Sequence, residues 1–302
     1  MSCKPKKVKL LKRDIPFHVI NYFIFGLFTL MCIIPFYYLF INTISDNDLV
    51  RRGLIRMIPR GLHLGNYEQV LKLRGLGQAA LISLSRTILG TSISVFSCAF
   101  VGYMFTKQAM WGRKFWYRYV IITMYFSAGL IPWYMNMVML NLTNNFFAYI
   151  LPAIIAPFNI ILVKTYIESI PPSLEESAAI DGAGTILIFR KIIIPLTTPI
   201  LATIAIFGAV GHWNSFMDTL FLMTDERLFT LQFVLWRYLN EANYLASIMR
   251  SGTAAAVDVS QALTPRTIQM TISMIVVFPI LLAYPFLQRY FVKGIMVGAI
   301  KG

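Results

Sequence analysis

The sequence predicts an all-α integral membrane protein, a bundle of six membrane-spanning helices. Two observations predict it. Hydrophobic residues make up 57% of the 302-residue chain and charged residues only 13%, far from the balance of a soluble domain. Several apolar stretches are long enough to cross a hydrocarbon core, which takes roughly 20 helical residues. No separate soluble domain is evident, so residues 1–302 read as one transmembrane domain, with core spans over 78–290.

A basic segment, 1–16, carries six Lys and Arg and precedes the first span, 17–43, where Pro35 is expected to kink the helix. That apolar run is too long for the core of a secretory leader and ends without a small-residue cleavage site. It reads as an uncleaved span with its basic tail inside. The other spans are expected at 78–106, 115–138, 146–166, 191–216 and 267–290. Six spans place both termini on one side. Lys107, Arg113, Lys114 and Arg118 fall on that same side, and an excess of cations marks the cytoplasm. The segment 170–195 is then cytoplasmic too.

The net charge of +14 follows largely from this asymmetry. Nucleic acid is a poor partner, because the basic residues are scattered between spans. One segment runs against the rule. Arg51, Arg52, Arg56 and Arg60, followed by Lys72 and Arg74, outnumber Asp46, Asp48 and Glu68 on the expected outer side. Charges inside the spans are almost absent, and Arg86, about two turns into span two, stands out. Such a group either snorkels to the interface or lines a polar path.

Residues 170–184, IPPSLEESAAIDGAG, interrupt this apolar chain. Pro171 and Pro172 end the preceding helix, since proline lacks a backbone donor and restricts its predecessor. Ser173 is a good N-cap, and Glu176 three residues later completes a capping box. Ser177, Ala178 and Ala179 are short enough for a partner surface to approach closely. Asp181 and Gly182 stop the helix, with Gly182 accepting a left-handed turn. A second helical run follows and meets Pro195. The segment is either a well-capped surface loop or a plug for a socket on a cytoplasmic partner.

The usual marks of catalysis are missing. No phosphate-binding G-x-x-x-x-G-K-[ST] loop, H-E-x-x-H metal motif or G-x-S-x-G elbow occurs, and the three histidines, His18, His63 and His212, are dispersed. Cys3, Cys32 and Cys98 form no metal or redox spacing and read as packing residues. The chain reads as a non-enzymatic subunit with no metal and no cofactor of its own.

The run EESAAIDGAGTILIFRKIIIPLTTP resembles the E-A-A-x-x-x-G loop of permease subunits from binding-protein-dependent ABC importers, with Ser177 in place of the usual first alanine. GNY at 65–67, VGYMFTK at 101–107, SAGLIPWY at 127–134, HWNSF at 212–216 and YPFLQRYFVKGIMVGAIKG at 284–302 extend the resemblance over nearly the whole chain. They are similar to the second permease of oligosaccharide and polysaccharide importers, with the maltose permease a more distant relative. The resemblance implies the type I, MetI-like permease fold, with a cytoplasmic coupling helix in the loop 170–195. It assigns coupling to a partner ATPase to Ser173, Glu176, Ser177, Ala178, Asp181, Gly182, Ala183, Phe189 and Pro195. It also implies that the C-terminal tail, 288–302, touches the ATPase through Gln288, Lys293, Gly294 and Gly302.

The implied partners are a second homologous permease, two ATP-binding subunits that hold ATP and Mg, an extracytoplasmic solute-binding protein and membrane lipid. Sugar sites favour aromatic faces with polar edges. Trp133, Tyr134, Asn136, Trp213 and Asn214, with Arg86, are the candidates for a substrate path, against the alternative of an interfacial aromatic belt. Arg51, Arg52, Arg56 and Arg60 suit an acidic binding protein or an anionic cargo such as uronate oligosaccharides from alginate or pectin. Neutral plant oligosaccharides are the rival cargo. A membrane-embedded transferase and a non-transporting assembly or receptor subunit are the rival functions.

Overall fold

The computed structural model describes residues 15–250 and 266–299, with side chains through residue 241 and over 266–282. Every regular element among the described residues is helical. The chain divides into two compact units, one of residues 1–70 with 264–274, the other of 71–263 with 275–302.

In the first unit, α1 (Ile15–Thr43) runs unbroken through Pro35. Its apolar side chains are exposed nearly all round over most of its length, as in Phe17, Tyr22 and Phe28. A helix apolar on every face without protein around it belongs in lipid or against another subunit. Burial begins only at Ile41, Asn42 and Thr43. There the chain turns into α2 (Asn47–Arg51) and then α3 (Gly65–Leu71).

Asp46 caps α2 by accepting from the amides of Asp48 and Leu49. Backbone bonds from Asp46 N to Arg60 O and from His63 N to Ile44 O, both 2.9 Å, close the intervening loop. Gly61 sits at φ +65°, where a Cβ would lie 2.8 Å from the Asp46 Cβ, so this turn requires glycine. The GNY run has a structural role here. The buried Asn66 donates to the Thr43 carbonyl at 3.0 Å, and the Tyr67 hydroxyl bonds Thr43 Oγ1 at 2.9 Å.

In the second unit, α4 (Leu76–Met104) is the central strut. It packs chiefly on α10 (Ile194–Asn214) and on α7 (Pro157–Glu168). Small residues let these helices approach, as expected where lipid removes most hydrophobic drive between helices. A Cβ at Gly90 would lie 2.6 Å from the His212 ring, and one at Gly102 would lie 3.1 Å from Val163 Cγ1. Around Gly102 a core gathers Cys98, Tyr103, Ile160, Val163, Phe189 and Ile204.

The six expected segments all fall on helix, with two corrections. The third span is not continuous. It consists of α5 (Arg113–Thr123), an irregular stretch over 124–129, and α6 (Leu130–Met139). Gly129 adopts φ +86°, which no other residue takes cheaply, and Pro132 resists any extension of α6 backward. The fourth span is bent by 46° between short 3₁₀ turns over Phe146–Ala153 and α7. The fifth runs from α9 (Thr185–Ile188) through a π-turn at Phe189–Ile193 into α10, together 30 residues. Three described helices are long and apolar enough to cross a membrane alone, Ile15–Thr43, Leu76–Met104 and Thr185–Asn214, and the bent pair supplies a fourth. The chain continues through α11 (Met217–Leu222) and α12 (Leu231–Arg250) to α13 (Arg266–Ala299).

Candidate functional site

The interrupting segment forms α8 (Ser173–Ile180), a two-turn helix with no buried residue. The expected capping box is absent. Pro172 occupies the cap position with φ −64° and ψ −23°, already helical, and no side chain caps the helix. Proline's fixed φ carries helical geometry one residue further than Ser173 alone would. The amides of Glu175 and Glu176 both donate to the Pro172 carbonyl at 3.0 Å. Ser177 Oγ donates back to the Ser173 carbonyl at 2.8 Å.

The stop is as expected. Gly182 turns left-handed at φ +83°. The Gly182 amide bonds the Ala179 carbonyl at 3.0 Å and the Ala183 amide bonds the Ala178 carbonyl at 2.9 Å, a Schellman closure.

Ala178 and Ala183 touch the main core, while Leu174, Ile180 and Ile186 point outward, Ile180 at 86% exposure. The helix is therefore anchored on one side and offers apolar side chains on the other. A second anchor is polar. The Glu175 carboxylate pairs with Lys107, just beyond the end of α4. The Lys107 ammonium also lies 4.3 Å from the centre of the Tyr103 ring. Burial holds the Lys107 pKa below the ordinary lysine value.

Phe189, expected among the coupling residues, is only 3% exposed, stacked on Tyr103 with ring centres 5.2 Å apart. It acts inside the core and presents no docking surface. Glu176, Asp181 and Pro195 are exposed.

Toward the other end of α4 lies a cavity of about 380 Å³. Arg86 lines it at 3% exposure, so the side chain does not snorkel. Its Nη1 donates to Asp218 Oδ1 at 3.1 Å and to the Ser215 carbonyl at 3.2 Å, and its Nη2 donates to Asp218 Oδ2. The guanidinium lies 4.6 Å from the centre of the Tyr149 ring. Tyr149 is fixed in turn by its hydroxyl, which donates to the Leu228 carbonyl at 2.7 Å and shares a 3.0 Å hydrogen bond with Thr219 Oγ1. His212, Ser94, Asn159 and Trp133 complete the polar and aromatic wall.

Of the other candidates for the path, only Trp133 joins Arg86 in this cavity. Trp213 donates its indole N–H to the Val276 carbonyl at 3.0 Å, and Asn214 donates to Val210 within its own helix. Tyr134 and Asn136 are exposed on α6 and do not line it. Sequence reasoning missed Asp218 and Tyr149 as partners of Arg86. A lone intramembrane arginine signals that a counter-charge exists without saying where, and Asp218 is 132 residues away.

Arg51, which ends α2, and Arg52, Arg56 and Arg60 beyond it are all exposed, and Arg51 pairs with Asp48 at 2.8 Å. The side chains of Gln288 and Lys293, and the surroundings of Gly294, lie outside the described part of α13. Gly302 lies outside the described residues, as does the basic tail 1–14.

An all-helical membrane bundle with an exposed, doubly anchored short helix between its fourth and fifth spans is the architecture of a transporter permease. The chain belongs to the family of ABC sugar-transport permeases. It is 34% identical to the protein LplC of Bacillus subtilis (strain 168), over 95% of each chain. It is 31% identical to the polygalacturonan/rhamnogalacturonan transport system permease YtcP of the same organism, over 95% of this chain and 98% of that one. A solved bacterial ABC transporter involved in import of the acidic polysaccharide alginate contains a chain 27% identical to this one. That match has a TM-score of 0.81 and covers 94% of this chain and all of the other. No family model matches the chain.

Proposed function

We propose that this chain is one of two transmembrane subunits of an ATP-driven importer that moves oligosaccharides from a solute-binding protein across the cytoplasmic membrane. Both termini face the cytoplasm, in keeping with the cation excess around 1–16 and 107–118. Two cytoplasmic ATP-binding subunits hold ATP and Mg, and one of them grips α8. The carrying observation is that α8 is exposed outward yet fastened to α4 through Glu175 and Lys107. Lys107 and Arg86 are 21 residues apart, roughly 30 Å along the helix axis, about the thickness of the hydrocarbon core. A displacement of α8 by the closing ATPases is thus delivered by a rigid strut to the cavity wall. Rigid-body rocking of this kind is what alternating access requires.

The cargo we favour is acidic, namely uronate oligosaccharides. The buried guanidinium in the cavity, the cationic first loop and the likeness to the alginate importer support it. A neutral cargo is the second reading, since an arabinooligosaccharide permease, AraQ of Halalkalibacterium halodurans, is 29% identical over 85% of this chain. The test is reconstitution of the complete transporter in liposomes. Binding protein loaded with an oligouronate should stimulate both ATP hydrolysis and uptake. No uptake of any oligosaccharide by an assembled, ATP-hydrolysing complex would refute the function.

A further inference from the structure

Arg86 is a poor candidate for a purely structural charge. A guanidinium has five N–H donors in a planar fork. Here Nη1 and Nη2 bind Asp218 and the Ser215 carbonyl, while the buried Nε has no hydrogen-bond partner. A half-satisfied buried cation is costly, and a fold that needed only packing at this position would be served better by an apolar residue.

Asp218, by contrast, keeps two hydrogen bonds without Arg86, both on one oxygen. Its Oδ1 accepts from Ser215 Oγ at 3.2 Å and from the Thr219 amide at 3.0 Å. The carboxylate can therefore lose the guanidinium and stay hydrogen-bonded. The pair also faces a cavity whose volume lies within the usual range for small-molecule sites, with an indole at Trp133 and an amide at Asn159 on the wall.

We propose that Arg86 is the residue that receives the carboxylate of an acidic sugar in transit, and that Asp218 holds its place between cargoes. In the resting chain Asp218 occupies the fork. A uronate carboxylate entering the cavity takes over the two Nη donors in the bidentate geometry that carboxylates and guanidinium share. Asp218 falls back on Ser215 and Thr219. Exchange of one carboxylate for another keeps the buried cation paired throughout, while the displaced Asp218 carboxylate is held by the Ser215 hydroxyl and the Thr219 amide. Release follows when Asp218 returns. The assignment rests on the reading of the chain as an oligosaccharide importer and names the group that would select its acidic cargo.

The test uses the complete transporter with its binding protein in liposomes and an oligouronate as the probe. Three forms are compared with the unaltered protein, Asp218→Asn, Arg86→Gln, and the two together. Asp218→Asn removes the internal competitor and keeps its shape, so KM for oligouronate uptake should fall severalfold. The double variant is a neutral pair that restores stability lost in Arg86→Gln. Its KM should nevertheless rise at least tenfold. A double variant with ordinary KM, or a rise of KM in Asp218→Asn, overturns the assignment and leaves the importer function standing. Failure of the unaltered complex to take up any oligosaccharide sinks the importer function itself. Thermal unfolding of each purified complex separates misfolding from loss of recognition.

Discussion

Lys107 and Glu175, 68 residues apart, form the ion pair that joins the end of α4 to the first turn of α8. Each side chain is about one-quarter exposed, so water weakens the pair without abolishing it. Its contribution to stability is on the order of 1 kcal/mol. Its value lies in connecting an exposed helix to the central strut of the second unit.

Glu175→Gln or Lys107→Gln should therefore leave expression and assembly near normal. ATP hydrolysis should continue while sugar imported per ATP falls severalfold. The exchange of charges, Lys107→Glu with Glu175→Lys, should recover much of the coupling. The ratio of uptake to phosphate release in liposomes measures this.

Gly182 tests the closing turn of α8. Its φ of +83° excludes a β-branched residue, yet nothing lies within 4 Å of an added Cβ. Gly182→Val meets only backbone strain, roughly 1–2 kcal/mol, and should misdirect α8 and lower uptake. Gly182→Asn, which tolerates the left-handed region, should be nearly normal. Equal loss in the two would point to side-chain bulk as the cause.

The approach of α4 to α10 depends on Gly90 lying against the His212 ring. Gly90→Ala should cost about 1–3 kcal/mol by overpacking. Adding His212→Ala should recover part of that loss. Thermal unfolding in detergent reads both, and a Gly90→Ala protein as stable as the parent would contradict the close contact.

Tyr149→Phe keeps the ring beside Arg86 and removes the hydroxyl that bonds Thr219 and the Leu228 carbonyl. The buried partners lose their bonds at about 1–3 kcal/mol. The expected outcome is a lower unfolding temperature with cargo selectivity kept. A change of selectivity at unchanged stability would assign the hydroxyl to the cargo.

The four arginines at 51, 52, 56 and 60 test steering by charge. Replaced together by glutamine, they should slow oligouronate uptake at low salt and matter little at high salt, because salt screens exposed charges. Uptake unchanged across salt would remove the loop from any part in delivery.

Much of this was legible in the sequence because it is written locally. Apolar length marks the spans, and Asp181 with Gly182 marks the end of α8. Arg86 stands out because intramembrane charge is rare. What stayed hidden is either subtle or remote. The break in the third span rests on Gly129 and Pro132 within a run that is otherwise apolar enough to continue. The start of α8 is hard to read because Pro172 takes helical angles ahead of a serine that looks like a cap. The partners of Arg86 and Lys107 lie 132 and 68 residues away, and only the folded chain brings them together.

On the proposed function, a separate ATP-binding subunit holds α8. Ile180, the most exposed apolar residue of that helix, is the place to probe. A photoreactive amino acid installed there, in the complete transporter, should form an adduct with the ATP-binding subunit on irradiation. A complex that co-purifies and hydrolyses ATP yet gives no such adduct would contradict it.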